Sequence, residues 1–163
     1  DEPKIAVLDG TAPHIYEPQL VGAVDSIVDL GAFLNGEILS KGKPSSEVNM
    51  HLAIYREKPE VNGIVHAHSP YATGFAFSDK KLKRLEGFGA IKSEYVKEVP
   101  YEKPGSIELA EKAADALKDE DLVILKNHGV IATGETVEQA CGLIEFAEGI
   151  AKTQFVTHML NSI

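Results

Sequence analysis

A short run with two histidines constrains the fold of this chain more than any other feature of its sequence. Residues 62–67 are the predicted strand, with His66 near its end and His68 directly after it. The apolar character of the run is typical of a buried strand, and Ser69-Pro70 predicts that a helix follows, because proline is favoured at the first helical position. Side chains two residues apart on a strand point to the same face. Both imidazoles could therefore reach one metal ion.

The rest of the chain alternates short β-like runs with helical patterns. Runs rich in valine, isoleucine and leucine predict further strands at residues 4–8, 26–30, 91–101, 122–125 and 130–132. A turn is predicted at 9–13, and Asn35-Gly36 indicates a hairpin. One helix is predicted to begin at Pro44, with Ser45 or Ser46 as its N-cap, and to end at Pro59.

Two more helices complete the pattern. Gly105-Ser106 predicts the start of a helix over 107–117, and Thr136 with Gln139 resembles a capping box that opens a long helix to about residue 160. The predicted buried side of the long helix includes Phe155 and Met159. We therefore predict an α/β fold: a single domain over residues 1–163, with a mostly antiparallel central sheet flanked by helices on both sides.

The composition narrows the classes of protein to which the chain can belong. With 163 residues, 44% of them hydrophobic, it is long enough to bury one core. The formal net charge of −9 argues against a nucleic-acid partner. The single cysteine, Cys141, fits a reducing compartment, and no apolar run is long enough to span a membrane. We expect a cytoplasmic protein with neither a nucleic-acid nor a membrane partner.

Two distant residues are candidates to complete a metal site with His66 and His68. His128 stands where a β-rich run breaks, and Glu47 stands where a loop enters a helix. Three neutral imidazoles and a carboxylate suit Zn²⁺ or a similar divalent ion, and Co²⁺ and Mn²⁺ stay open as alternatives. Glu47 has a simpler alternative role, because a carboxylate near a helix N-terminus also complements the helix dipole.

Four short segments resemble the class II aldolase/adducin family. They are residues 43–47 (KPSSE), 66–73 (HAHSPYAT), 99–101 (VPY) and 127–130 (NHGV). Each is a modest signal alone, but their order and spacing together are specific. The first 40 residues match the family poorly, and we expect the N-terminal elements of the family to be missing from this chain.

The resemblance implies one Zn²⁺ per chain, held by His66, His68 and His128. It also implies that Glu47 is a ligand that substrate displaces and that then acts as the catalytic base. Ser45 and Ser46 would bind the substrate phosphate, which agrees with the anion-binding character of a helix N-terminus, although helix capping alone is an alternative role for both.

The family also implies a catalytic residue that acts between subunits. Tyr101, which follows Pro100, matches a tyrosine that donates a proton and enters the active site from a neighbouring subunit. Such sites lie at the interfaces of a homotetramer with fourfold symmetry. We therefore expect the chain to be a homotetramer whose active sites need two subunits.

The activity that the resemblance implies is that of a zinc-dependent aldolase. It would cleave a short ketose phosphate, of the L-fuculose 1-phosphate type, to dihydroxyacetone phosphate and an aldehyde through an enediolate. A ribulose-5-phosphate 4-epimerase is an alternative, but that branch usually has Asp where this chain has Glu47. Three further functions stay open: a methylthioribulose-1-phosphate dehydratase, a decarboxylase of a related keto-acid phosphate, and a non-catalytic adducin-like scaffold.

Overall fold

The computed structural model describes residues 7–10, 26–28, 46–85 and 93–163, the first two ranges by their backbone alone. The strands of these ranges are β1 (Val7–Gly10), β2 (Ser26–Val28), β3 (Gly63–Ala67), β4 (Lys97–Val99), β5 (Leu122–Leu125) and β6 (Gly129–Gly134). The helices are α1 (Val48–Glu57), α2 (Pro70–Phe77), α3 (Ile107–Leu117) and α4 (Val137–Asn161). None of these helices is long and apolar enough to cross a membrane.

The strands form one mixed sheet in the order β2-β1-β3-β6-β5-β4. Three pairings are antiparallel, namely β1 with β2, β3 with β6, and β5 with β6. The pairings of β1 with β3 and of β4 with β5 are parallel. The predicted α/β architecture with a mostly antiparallel sheet is confirmed, with a parallel pairing towards each edge.

Helices cover both faces of the sheet, as the sequence predicts. α1 and α3 pack on the face that contains Ile64 and Ile131, whereas α2 and α4 pack on the face that contains Val65 and Val130. Neighbouring strand residues point to opposite faces, so β3 and β6 each contribute to both cores. These two central strands are buried on both sides, and His66 lies between them and α1.

The N-cap residues of the helices agree only in part with those predicted from the sequence. Ser106 caps α3, since its hydroxyl accepts from the backbone N–H of Leu109 at 3.1 Å. The predicted serine cap of α1 is wrong for Ser46: Glu47 is the N-cap residue, with no capping bond from its side chain, and Ser46 is exposed in the turn before it. The helix begins one residue later than the serine pattern indicates. Ser45 lies outside the described residues.

The predicted capping box of α4 forms in a shifted version. The Thr136 hydroxyl accepts from the N–H of Gln139, and the Gln139 side chain accepts from the N–H of Glu135, one residue before the N-cap. Both polar side chains therefore serve the helix start, but the second bond reaches back one residue further than in the standard motif.

Two other predictions need correction. Asp9 and Gly10 belong to β1 rather than to a turn, because both pair with β3. Phe155 and Met159 are about half exposed, at 50% and 49%, because the described elements leave the end of α4 beyond Ala151 largely uncovered. Helical periodicity locates an apolar face without showing what covers it. The predicted hairpin at Asn35-Gly36 lies outside the described residues.

Candidate metal centre

Three histidines converge at one end of the central strand pair. His66 lies near the end of β3, His68 follows that strand directly, and His128 lies in the turn before β6. Because β3 and β6 are antiparallel neighbours, the end of one strand lies beside the start of the other. One candidate ligand atom from each histidine lies within 4.8 Å of the other two. The convergence of these three residues was predicted from the sequence.

The ring of His66 has a defined orientation and tautomer. Its Nδ1 lies 2.9 Å from the carbonyl oxygen of Val130, and because a carbonyl can only accept, Nδ1 must carry the proton. The lone pair of Nε2 is then directed at the Nε2 of His128, 3.2 Å away. A bond from the second ring nitrogen to a backbone carbonyl is the usual way in which proteins orient a metal-binding histidine.

The surroundings favour the neutral form of His66 and of His128. Burial, with the neighbouring histidines adding to it, lowers the pKa of His66 well below its ordinary value of 6.5. Burial also lowers the pKa of His128 to about 4, and His68 adds to that effect. Neutral imidazoles retain the lone pair that binds a metal.

The donor set fits a divalent transition-metal ion. It consists of three imidazoles, and the Nε2 of His68 is buried with no hydrogen-bond partner among the described residues. Three protein nitrogens that leave a position for substrate are typical of catalytic zinc sites, although Co²⁺ accepts the same donors. The three residues can hold the metal that the sequence predicts.

The turn that carries His128 depends on two special backbone positions. Asn127 has a left-handed φ of 55°, a conformation that asparagine adopts more readily than most residues. A Cβ on Gly129 would lie 2.6 Å from the carbonyl oxygen of Ala67 and 2.7 Å from a ring carbon of His68. Glycine at 129 thus lets β6 approach the second histidine closely. Gly129 lies in the family-like segment 127–130, but the sequence alone does not show why a glycine is needed at this position.

Glu47 lies at the start of α1, outside the group of atoms that converge within 4.8 Å. Its side chain is buried, with the residue only 4% exposed. His51 follows one helical turn later, is fully buried, and helps to lower the pKa of His66, so the start of α1 faces the histidines. The helix start that faces the histidines therefore carries a carboxylate, Glu47, that is largely shielded from solvent.

Two of the remaining predicted site residues, Ser46 and Tyr101, lie at the surface, whereas Ser45 lies outside the described residues. Ser46 is exposed beside the loop that follows β4, where a Cβ on Gly105 would lie 2.9 Å from the Ser46 carbonyl oxygen. Tyr101, in the same loop, is 53% exposed and makes no hydrogen bond with the described residues. The fold therefore brings the loop of Tyr101 to the start of α1 but leaves the tyrosine ring at the surface.

Comparison with known protein families shows which family this chain belongs to. The family model of the class II aldolase and adducin N-terminal domain matches residues 22–155. The chain belongs to this family. The class II aldolase/adducin resemblance of the four sequence segments is thereby confirmed, and the match also includes part of the N-terminal region that resembled the family poorly.

Individual members of the class II aldolase/adducin family are similar over most of the chain. An L-fuculose phosphate aldolase from Methanococcus maripaludis is 43% identical, over 96% of this chain and 86% of the relative. A 3-oxo-tetronate 4-phosphate decarboxylase from Pectobacterium atrosepticum is 33% identical, over 91% of this chain and 70% of the relative. The structure of an L-fuculose 1-phosphate aldolase superposes with a TM-score of 0.72 at 31% identity, over 79% of this chain and 61% of that one.

Proposed function

We propose that this chain is the catalytic domain of a metal-dependent class II aldolase that cleaves a short ketose phosphate. The observation that carries the proposal is the convergence of His66, His68 and His128 as candidate metal ligands, in a chain 43% identical to a protein named L-fuculose phosphate aldolase. A scaffold without catalysis would have no need of three histidines whose ring nitrogens converge on one point. The products would be dihydroxyacetone phosphate and an aldehyde, and residues 1–163 would form one domain in the cytoplasm.

Each site residue has a role that its position supports. The three histidines would hold Zn²⁺, which when bound supplies Lewis-acid stabilisation of the negative charge that develops as the carbon–carbon bond breaks. Glu47, buried at the start of α1, would bind the metal until substrate displaces it and then move the proton at the carbon atom next to the carbonyl.

Phosphate recognition would lie at the start of α1. Ser45 and Ser46 precede the helix, where unpaired backbone N–H groups and the helix dipole favour an anion. The Ser46 side chain is not used as a helix cap, which leaves its hydroxyl available to a substrate phosphate.

The active enzyme would be a homotetramer in which Tyr101 of one subunit acts in the site of the next, where it would donate a proton to the aldehyde oxygen in the addition direction and take that proton back during cleavage. Two features support this arrangement. Tyr101 is half exposed at the end of the sheet where the histidines lie, and α4 ends in an apolar surface that includes Phe155 and Leu160. Contiguous apolar surface of this kind commonly marks an interface between proteins.

Two measurements test the proposal. Metal content by elemental mass spectrometry should approach one zinc per chain, in protein purified without chelators or a metal-binding tag. With L-fuculose 1-phosphate, dihydroxyacetone phosphate should be released and should be detected through its reduction by NADH in a coupled assay. Absence of bound metal after incubation with Zn²⁺ would refute the proposed site, and zinc binding without aldol cleavage would refute the proposed reaction.

Decarboxylation of a keto-acid phosphate is a second candidate, favoured by the similarity to the decarboxylase from Pectobacterium atrosepticum. Loss of CO₂ from a β-keto acid and retro-aldol cleavage develop the same kind of charge next to a carbonyl, so the same residues suit both. Release of CO₂ from 3-oxo-tetronate 4-phosphate, with no cleavage of L-fuculose 1-phosphate, would select the decarboxylase.

A further inference from the structure

Helix α2 connects the two segments that carry the candidate metal ligands. It begins at Pro70, two residues after His68, and its far end meets the turn that carries His128. With eight residues it is a rod of about 12 Å. The position of this rod therefore influences where His68 lies relative to His128.

The N-terminus of α2 is capped by a residue from another helix. The Glu148 carboxylate of α4 accepts from the backbone N–H of Tyr71 at 3.0 and 3.1 Å and from that of Ala72 at 2.9 Å. These N–H groups belong to the first turn, where they have no partner within the helix, and a negative charge there also complements the dipole. The local N-cap, Ser69, makes no such bond with its side chain. Glu148 takes over the role that a local cap usually fills.

The C-terminus of α2 is held by the β5–β6 turn. The Lys126 ammonium donates to the carbonyl oxygen of Ser78 at 2.5 Å and to that of Phe75 at 3.5 Å. The N–H of Asn127, one residue before His128, donates to the carbonyl oxygen of Ala76 at 3.0 Å. The two ends of α2 thus have charge-complementary contacts, and one of these contacts comes from the histidine turn itself.

We infer that Glu148 is a positioning residue of the metal centre, which acts through α2 to fix the separation of His68 from His128. This inference rests on the proposed metal-dependent function. Metal–ligand distances must hold within about 0.2 Å, so a small shift of the helix start matters more to metal binding than to packing. Residues that orient metal ligands typically change metal affinity about 10-fold to 100-fold when they are replaced.

The test is Glu148→Gln in the full chain, with Glu145→Gln as the matched control. Glutamine keeps the volume but turns an amide N–H₂ towards backbone donors, so at least one of the three bonds is lost. Glu145 is exposed on the same helix, and its replacement removes the same charge. We expect Glu148→Gln to weaken Zn²⁺ binding about 10-fold to 100-fold in competition with a chelating dye and to shift the visible spectrum of bound Co²⁺. Glu145→Gln should change neither.

The Co²⁺ spectrum separates positioning from general stability, because it reports the arrangement of the ligands directly. Unchanged zinc affinity and an unchanged spectrum in Glu148→Gln would overturn the inference, even if the melting temperature fell. If that variant fails to fold, Lys126→Met tests the other end of α2, and an unchanged affinity there would overturn it equally. No zinc binding by the unmodified protein would refute the proposed function together with the positioning role, whereas equal binding by unmodified and variant proteins would refute only the latter.

Discussion

His51 and His66 are both fully buried, and burial lowers the pKa of each. Only His66 has a hydrogen bond to define its ring, the one to Val130. Neither ring nitrogen of His51 has a partner among the described residues, although it lies one turn after Glu47. The two residues are chemically alike, but their surroundings make one a candidate ligand and the other a neutral packing residue behind the site.

His51 should make the stability of the metal-free protein depend on pH. Its pKa is lowered to about 3 in the folded state, against 6.5 in the unfolded chain. Between these values the unfolded chain binds a proton that the folded protein does not, so the free energy of unfolding falls as pH decreases from 6.5. The contribution approaches about 1.4 kcal/mol per pH unit.

Replacement of His51 by leucine, which is apolar and of similar volume, should remove this contribution. Urea unfolding at several pH values between about 4 and 7 should give a shallower loss of stability for His51→Leu than for the unmodified protein. Parallel curves for the two proteins would show that His51 is protonated equally in the folded and unfolded states.

Glu47→Gln should separate catalysis from metal binding. The amide can neither remove a proton from dihydroxyacetone phosphate nor return one to the enediolate carbon during cleavage, so the rate of dihydroxyacetone phosphate release should fall about 10²-fold to 10⁴-fold. Metal content should stay near that of the unmodified protein, because the three histidines are unchanged. Glu60→Gln, at an exposed position after α1, is the control and should keep full activity. Unchanged turnover in Glu47→Gln would contradict the role as a base.

At the level of elements, β3 meets α4 through two facing glycines. Gly63 pairs with Gly134, and the start of α4 lies directly against both. A Cβ on Gly63 would lie 2.4 Å from backbone atoms of Thr136 and Val137. The absence of a side chain is therefore what allows the helix to pack so close to the sheet.

Gly63→Ala should destabilise the protein by about 1–3 kcal/mol, because the clash is with backbone atoms that cannot move independently. Gly74→Ala is the matched control: nothing lies within 4 Å of its added Cβ, in the middle of α2. That substitution should stabilise the protein by about 0.4–1 kcal/mol. Denaturant unfolding of both variants measures the difference, and equal stabilities would contradict the close approach.

Periodicity and turn chemistry predicted most elements of the described chain. The apolar runs located β3, β5 and β6, and Pro70 marked the first residue of α2. Within the predicted β-like region at 91–101, the described residues 93–101 form only the strand Lys97–Val99 and a bridge between Tyr95 and Lys83, since alternation alone does not show which backbone groups find a partner. Strand order depends on contacts between distant residues and could not be predicted in this way.

The convergence of the three histidines was predictable because their spacing combined with a family motif, whereas the residues that support them were not predictable. In the sequence, nothing distinguishes Glu148 from the other acidic residues of α4, because its contact with α2 depends on how the two helices pack. The burial of His51 likewise depends on the packing of α1 against the sheet. Such roles arise from tertiary contacts between segments distant in sequence.

At the scale of the whole molecule, the exposed side chains of the described residues bear on the proposed assembly. Tyr101 is exposed near the site, and large apolar residues remain exposed at the end of α4. If Tyr101 serves a neighbouring subunit, two inactive variants should complement each other. Co-expression of Glu47→Gln with Tyr101→Phe should restore activity in about one quarter of the sites of randomly mixed tetramers.

The controls for the co-expression are the two variants expressed separately, and each of them should be nearly inactive. Separation by differently charged tags isolates the mixed oligomers, whose mass is checked by analytical ultracentrifugation. Activity that stays at the level of the single variants would mean that Tyr101 and Glu47 act within the same subunit or that Tyr101 has no role.

The pairing of β3 with β6 has a practical consequence for judging a protein sample. His66 lies opposite Ile131, and its ring is bonded to Val130, so the three histidines meet only in this register. A slip by one residue would move β6 by about 3.4 Å and exchange its faces. If the histidines hold zinc as proposed, a zinc titration would count the correctly paired molecules, and its end point would report the fraction of a preparation that has reached the native alignment of these strands.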